Sequence, residues 1–268
     1  MKELYVSVSG AIGREKQMTV VANNLANVNS VAFKRQNTVF ALRPPEVDFQ
    51  ALELSADKRM NLPAPRQWLE GDRAYTQVDE TVTDYSNGVL RQTGGDLDLA
   101  LECKRPEAGT PFFSVNTPEG RRLTRMGNLT LNQNGELVTH SGLQVSNGSS
   151  GGAIQVDNRL KIGISPTGEV FSGTRQVGQL DVVMVNDPKQ LEPQGEGLYS
   201  DRGGQVASHS ITAADQVSVK QGCLEYSNVN IVDELVQMIE LQRSYSSHQK
   251  SIQTMDEETG KVIEMVRT

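Results

Sequence analysis

The feature that most constrains this sequence is its last stretch, residues 227–268, which predicts one long amphipathic helix. No proline interrupts it, acidic Asp233 and Glu234 suit its first turn, and Arg267 suits its last. Asn230 is the predicted N-cap, because its side chain can accept a hydrogen bond from the Asp233 N–H. At 1.5 Å per residue such a helix is about 55 Å long. A compact domain does not need that length, so we expect a partner outside the helix's own domain.

Apolar residues recur along this C-terminal helix at alternating steps of four and three, the spacing of a coiled-coil seam. Polar residues Gln242, Gln249 and Asp256 interrupt the seam. The pattern predicts an assembly interface on this helix. Its residues are Ile231, Leu235, Met238, Ile239, Tyr245, Ile252, Ile263 and Val266.

A second seam near the other end of the chain predicts an N-terminal helix. Serines and glycines in it, including Gly10 and Gly13, each cost up to ~1 kcal/mol relative to Ala. The helix is therefore expected to form only when packed, and to end in the Asn-rich run 23–29. The two terminal helices either pair within one molecule or pair with neighbours. The predicted interface residues are Leu4, Val8, Ala11, Met18, Ala22 and Leu25.

Between the two predicted helices, the sequence divides into two segments with different hydrophobic patterns. Residues 33–78 contain four prolines and no clear period, which indicates an extended connecting segment with a short helix near 50–54. Residues 79–224 read as short strands separated by turns, typical of an antiparallel sandwich or distorted barrel. The predicted fold class is α+β. Its predicted parts are 1–32 and 225–268, the helices of a terminal domain, 33–78, the connection, and 79–224, the β-rich middle domain.

Individual strands of the middle can be predicted. Residues 97–102 alternate at period two, which predicts a half-buried strand. Turn residues at 134–135 and 166–168 predict two hairpins, and turn residues at 117–120 predict the end of a short apolar strand at 112–115. The Gly- and Ser-rich run 147–152 predicts a flexible loop.

Composition excludes several classes of function. A net charge of −7 argues against nucleic acid as the main partner, and no apolar run is long enough to span a membrane. The start of the chain has no apolar core or cleavage site typical of a secretory signal peptide. The three histidines lack ligand spacing, so neither a metal nor another cofactor is expected. Cys103 and Cys223 are predicted to be unpaired thiols.

One signature is specific: the run 22–30 followed by Phe33 and Lys34 closely resembles the N-terminal signature of bacterial flagellar rod and hook proteins. Stretches 84–101, 117–127, 135–139 and 221–230 match the family in the same order, over nearly the whole chain. Length and opening sequence resemble the proximal rod type most, with the distal rod or hook type as the alternative. The residues of the N-terminal motif are Asn23, Asn24, Leu25, Ala26, Asn27 and Phe33.

Two positions depart from the family pattern. The family usually has glycine before the Phe-Lys pair, where this chain has Ala32, so a turn with positive φ is not expected here from the residue type. A tight glycine link in the family is replaced by the longer, charged segment 103–111, which is predicted to lie at the surface.

The resemblance implies a structural protein and not an enzyme. In the family the terminal helices pack as a coiled coil in the inner tube of a helical axial structure, and the β-rich middle forms the outer layer. The implied partners are copies of the chain, other axial proteins and the flagellar type III export apparatus, without nucleic acid or membrane insertion. The implied place is the periplasmic rod of the basal body, which transmits torque for swimming.

Two other classes of function stay open from the residues alone. The β-rich middle and loop 147–152 suit a secreted adhesin or binding module. An enzyme that acts on peptidoglycan is the weaker alternative, because no acid/base pair stands out in the sequence.

Overall fold

The computed structural model describes residues 2–43, 75–105, 109–201, 208–210 and 217–267. The predicted α+β class is confirmed: an N-terminal helix, α1 (Lys2–Ala26), and a C-terminal helix, α2 (Ile231–Arg267), flank a β-rich middle. None of the helices in these ranges is long and apolar enough to cross a membrane. The strands are β1 (Gln36–Arg43), β2 (Tyr75–Thr83), β3 (Leu90–Gln92), β4 (Leu99–Cys103), β5 (Thr110–Thr117), β6 (Gly120–Thr124), β7 (Leu129–Leu131), β8 (Leu137–Thr139), β9 (Gln144–Val145), β10 (Ile162–Ile164), β11 (Glu169–Ser172), β12 (Arg175–Gln179), β13 (Val182–Val185), β14 (Leu191–Gly195), β15 (Leu198–Asp201), β16 (Ser208–Ser210), β17 (Val217–Gln221) and β18 (Cys223–Glu225).

The chain divides into two compact units, which we call the helical unit and the β-rich unit. The helical unit comprises Met1–Leu25, Gln36–Val82 and Ile231–Thr268. The β-rich unit comprises Ala26–Arg35 and Thr83–Asn230. The segments that directly follow α1 and directly precede α2 in the chain therefore belong to the β-rich unit.

Antiparallel sheets build the β-rich unit. A nine-stranded sheet has the order β14-β15-β6-β5-β9-β8-β7, and β13 pairs with β5 and β16. The strands β10, β11 and β12 form a second sheet, while β17 pairs with β4 and β18 with β3. Both predicted hairpins are confirmed, as β7–β8 and β10–β11, and the turn predicted at 117–120 joins β5 to β6 in a further hairpin. Gly135 (φ 76°) and Gly168 (φ 86°) provide the left-handed backbone in two of these turns.

Two apolar clusters form the interior of the β-rich unit. The larger cluster includes Leu99, Phe113 and Leu137, and the smaller one includes Phe112 and Tyr199. The half-buried strand predicted at 97–102 is wrong in this respect, because three consecutive residues of β4 are buried. The backbone of β4 is closely covered: a Cβ at Gly127 would lie 1.7 Å from the Leu99 carbonyl oxygen. The structure therefore also buries Ala100, which lies on the face of β4 that the alternating sequence marks as polar.

The helical unit contains both helices and the two-stranded sheet of β1 and β2. α1 ends at Ala26, within the Asn-rich run, as predicted. α2 begins at Ile231, later than the predicted residue 227, which places Asn230 directly before the first helical residue. The short helix predicted at 50–54 lies outside the described residues. Both cysteines are free thiols, as predicted.

Candidate functional site: the terminal helices and a buried charge cluster

Two contacts define how α1 and α2 pack. The side-chain amide of Asn24 donates a 3.3 Å hydrogen bond to the Glu234 carboxylate. Further along, the His248 ring lies on the backbone at Gly10, where a Cβ would come within 2.8 Å of Cε1. On each helix the two contact residues are the same number of residues apart. The contact near the end of α1 is with the start of α2, and the contact nearer the start of α1 is with a later part of α2. The helices therefore run antiparallel within one chain.

Asn24 is the polar centre of the helical unit. Its side-chain oxygen accepts a 2.9 Å hydrogen bond from the Gln36 N–H, and its Nδ2 also donates to the Gln36 carbonyl at 2.9 Å. Asn24 and its partner Glu234 are both buried. This one side chain ties the last turn of α1 to the first residue of β1 and to the first turn of α2. The sequence marks Asn24 as a motif residue, but gives Glu234 only a helix-dipole role.

The glycines of α1 are sites of close packing. Phe40 packs against Gly13, where a Cβ would lie 3.2 Å from the ring. The Arg14 guanidinium carbon lies 5.8 Å from the centroid of the same ring. Together with the contact of His248 on Gly10, this shows why poor helix-forming residues occur here: other elements approach the backbone directly.

The predicted interface residues divide into three groups. Ala11 is buried; Met18, Leu25, Met238, Tyr245 and Ile252 are half-buried; Val8, Ala22, Ile231, Leu235 and Ile239 are exposed. The side chains of Leu4, Ile263 and Val266 lie outside the described part. Val21 and Leu241, which are not among the predicted interface residues, are buried. Among the remaining motif residues, Asn23 and Ala26 are exposed while Asn27 and Phe33 are half-buried.

The first turns of α2 carry an exposed apolar surface. Its five members lie within nine residues and are each between 45% and 61% exposed. Val8 and Ile12 of α1 are also exposed, at 36% and 49%. An apolar cluster of this kind on a soluble protein commonly marks an interaction site. We call it the α2 apolar surface; its residues are Ile231, Val232, Leu235, Val236 and Ile239.

A cluster of three charged side chains is buried in the β-rich unit. Glu225 lies between Lys34 and Arg125, with its Oε1 2.7 Å from Lys34 Nζ and its Oε2 2.6 Å from Arg125 Nη2. All three side chains are at most 2% exposed. Gly88 N–H also donates to Glu225, at 2.9 Å, and Lys34 also donates to the Ser86 carbonyl, at 2.7 Å. The sequence stretches that carry the family resemblance thus converge on one carboxylate.

Charge neutralisation explains how this cluster is tolerated. Burial alone would raise the pKa of Glu225, but Arg125 and Lys34 outweigh it and hold the pKa below its usual value. Burial lowers the pKa of Lys34, and the Glu225 carboxylate opposes that shift. Arg125 further donates to the Pro111 carbonyl at 2.7 Å. Lys34, Arg125 and Glu225 lie in stretches that resemble the family, but the sequence does not indicate that they meet, since charged residues far apart in sequence give no local signal.

Ala32 adopts the positive-φ turn conformation that its residue type does not favour. Its φ is 56°, in the left-handed region, and its side chain is buried. Its N–H donates a 2.8 Å hydrogen bond to the Glu225 carbonyl. Nearby, Asn228 accepts from the Arg35 N–H at 2.8 Å and donates to the Asp84 carbonyl at 2.9 Å. The fold therefore imposes this backbone conformation through a network of bonds around residues 32–35.

The described residues contain no group of three or more His, Cys, Asp or Glu side chains arranged to hold a metal ion. The prominent features of the chain are thus packing surfaces and a structural ion cluster.

Three family models match successive parts of the chain. Residues 4–34 match the flagella basal body rod protein model, residues 108–172 the D1 domain of flagellar hook protein FlgE/F/G, and residues 220–265 the C-terminal region of flagellar basal body rod FlgEFG proteins. The matches include Lys34, Arg125 and Glu225 of the buried cluster.

Curated relatives match over nearly their full length. The flagellar basal-body rod protein FlgF of Caulobacter vibrioides is 31% identical over 97% of this chain and 96% of its own. FlgG of Buchnera aphidicola subsp. Schizaphis graminum is 31% identical over 98% of both chains. The flagellar hook-basal body complex protein FlhO of Bacillus subtilis is 29% identical over 97% of both.

Proposed function

Because the chain belongs to the family of flagellar basal-body rod proteins and is a structural component of the rod, we propose that it assembles helically into a shaft that transmits torque for swimming. Its partners in this shaft are copies of itself and other axial proteins. The α2 apolar surface carries the proposal, because five large apolar side chains stay exposed in the single chain. Their burial by neighbours would favour association.

Within this proposal the terminal helices form a coiled-coil inner tube. Each chain contributes the antiparallel pair of α1 and α2, and the seam residues identified from the sequence, together with the α2 apolar surface, face neighbouring chains. The β-rich middle, folded as an antiparallel sandwich or distorted barrel, forms the outer layer. A rotation between neighbours that does not close produces a filament instead of a ring.

Export through the flagellar type III apparatus is the second part of the proposal. A chain that threads a narrow channel must be unfolded, and its ends must order again at the growing rod. The glycines of α1 and the exposed apolar residues of both helices support this, because the helices depend on packing partners for stability. Contacts with neighbouring chains, made on assembly, then offset the entropy cost of ordering the ends.

We assign the chain to the proximal part of the rod on the basis of its opening sequence and length. The FlgF and FlgG relatives match at the same 31% identity, so this assignment rests on the sequence features alone. Complementation of strains that lack either protein tests it. Restored swimming in the FlgF-deficient strain only is the expected result.

The assembly proposal is tested with Leu235→Asp, which places a charge on the α2 apolar surface. Leu235 is 45% exposed, so we expect the purified variant to fold normally but to be absent from isolated basal bodies, and the cells not to swim. Leu160→Asp is the matched control, because Leu160 is 50% exposed in the β-rich unit. Normal swimming of cells carrying Leu235→Asp would contradict the proposal.

A further inference from the structure

The strand β3 has an open edge. It pairs with β18 in register Leu90↔Glu225, Arg91↔Leu224 and Gln92↔Cys223. The other edge of β18 is covered, because Ala32 N–H donates to the Glu225 carbonyl and Val31 bridges Tyr226. On the outer edge of β3, by contrast, the described residues provide no paired strand.

The hydrogen-bond pattern shows which peptide groups this edge presents. Tyr226 N–H donates to the Val89 carbonyl and Thr93 N–H to the Gly222 carbonyl, at 2.9 and 2.8 Å. In an antiparallel pair, peptide groups that bond to the partner strand alternate with groups that point away. Val89, Arg91 and Thr93 therefore face β18, whereas the N–H and C=O groups of Leu90 and Gln92 point outward.

Apolar side chains are exposed around this edge. Val89 is 63% exposed and Leu90 39%. Of the features that shield natural edge strands, β3 has a short length and one charged residue, Arg91, but no lysine, proline or bulge. The Arg91 side chain contacts Tyr226, since its guanidinium carbon lies 4.5 Å from the centroid of the Tyr226 ring. The edge thus combines unpaired peptide groups with exposed apolar side chains, as a strand-pairing site requires.

We propose that the β3 edge pairs with a strand of a second copy of this chain, as one part of the contact between rod subunits. The small size of the edge favours a second copy of this chain as the partner. Three residues span about 10 Å, and a strand contact of that length buries far less than the roughly 800 Å² per partner that a stable two-protein complex buries. So small a contact holds only where other contacts already bring the same partner close. A neighbouring copy, held also through the helices, meets this condition, and the inference rests on the proposed function in this respect.

The test uses the full-length protein and hydrogen exchange at residue resolution. In the dilute monomer, the amides of Leu90 and Gln92 should exchange rapidly, and the amide of Arg91 more slowly. In sedimented assemblies, exchange at Leu90 and Gln92 should slow by about tenfold or more, while Arg91 changes little. Unchanged exchange at both outward amides in the assembled protein would overturn the inference.

A substitution gives a second, independent readout. Leu90→Lys adds a charge at the edge, and we expect it to raise the concentration needed for assembly by roughly fivefold or more, without changing the melting temperature of the monomer. Leu160→Lys, at a similarly exposed site elsewhere in the β-rich unit, should change neither quantity. Equal assembly of Leu90→Lys and wild type would contradict the edge contact alone. Failure of the wild type to assemble at any concentration would contradict the proposed function itself.

Discussion

The two units of this chain differ in how completely they bury their apolar side chains. The β-rich unit completes its interior within one chain: Phe112, Phe113 and Leu137 are at most 1% exposed, and its buried charges neutralise one another. Among its described residues, the helical unit buries the apolar side chains of Ala11, Val21 and Leu241 and a polar contact, and leaves other apolar residues of both helices exposed. We therefore propose that the β-rich unit folds alone and that neighbouring chains complete the helical unit.

The largest effect is expected from Glu225→Gln in the β-rich unit. Removing this carboxylate leaves Lys34 and Arg125 buried without a counter-charge, which should lower the free energy of unfolding by about 3–5 kcal/mol. Urea unfolding followed by circular dichroism measures it. Lys34→Met is the matched variant, because it keeps the pair of Arg125 and Glu225 and should cost less than about 2 kcal/mol. Equal losses in the two variants would show that Glu225 is not the centre of the cluster.

A pair of leucines compares the units directly. Leu137→Ala removes a fully buried side chain of the β-rich unit and should cost about 2–5 kcal/mol in the monomer. Leu235→Ala, in the helical unit, should cost less than about 1 kcal/mol in the monomer, since the side chain is 45% exposed there. For assembly we expect the opposite order: Leu235→Ala should raise the critical concentration for assembly more than Leu137→Ala does. A large loss of monomer stability in Leu235→Ala would mean that the side chain of Leu235 already packs within the helical unit of the monomer.

Asn24→Ala probes a polar contact that links α1 to β1 and α2 in the helical unit. The change leaves the Gln36 peptide groups without their side-chain partner and should weaken the unit by about 1–3 kcal/mol. Faster hydrogen exchange of α1 and of the Gln36 amide measures this loss. Asn23→Ala is the control at an exposed neighbouring position and should have a smaller effect. Equal effects of the two changes would argue against the central role of Asn24.

Ala32→Gly should produce the smallest change, and in the stabilising direction. A left-handed backbone costs a residue with a Cβ roughly 1–2 kcal/mol, while glycine loses roughly 0.5–1 kcal/mol of additional chain entropy on folding. The net gain for the β-rich unit should be about 0.5 kcal/mol, seen as a higher urea midpoint. A destabilised variant would show that the buried methyl group of Ala32 contributes more than the strain costs.

The fold class, the end of α1 and two hairpins could be predicted because local signals specify them. Asn-Gly at 134–135 fixes a turn, and the Asn-rich run ends α1. The cluster of Lys34, Arg125 and Glu225 could not be predicted, because its members lie far apart in sequence and meet only through the packing of several strands. The contact between α1 and α2 within one chain could not be predicted for a similar reason, since Gly10, Asn24 and Glu234 carry it without being apolar.

The most direct test of the central claim follows helix content and molecular mass together. Circular dichroism and sedimentation of the full-length chain are recorded over a wide range of concentrations, with Leu235→Asp as the variant that should stay monomeric. If neighbours complete the helical unit, helix content rises as the mass of the wild-type protein rises, and Leu235→Asp shows neither increase. A dilute wild-type monomer with the same helix content as the assembly would contradict the account.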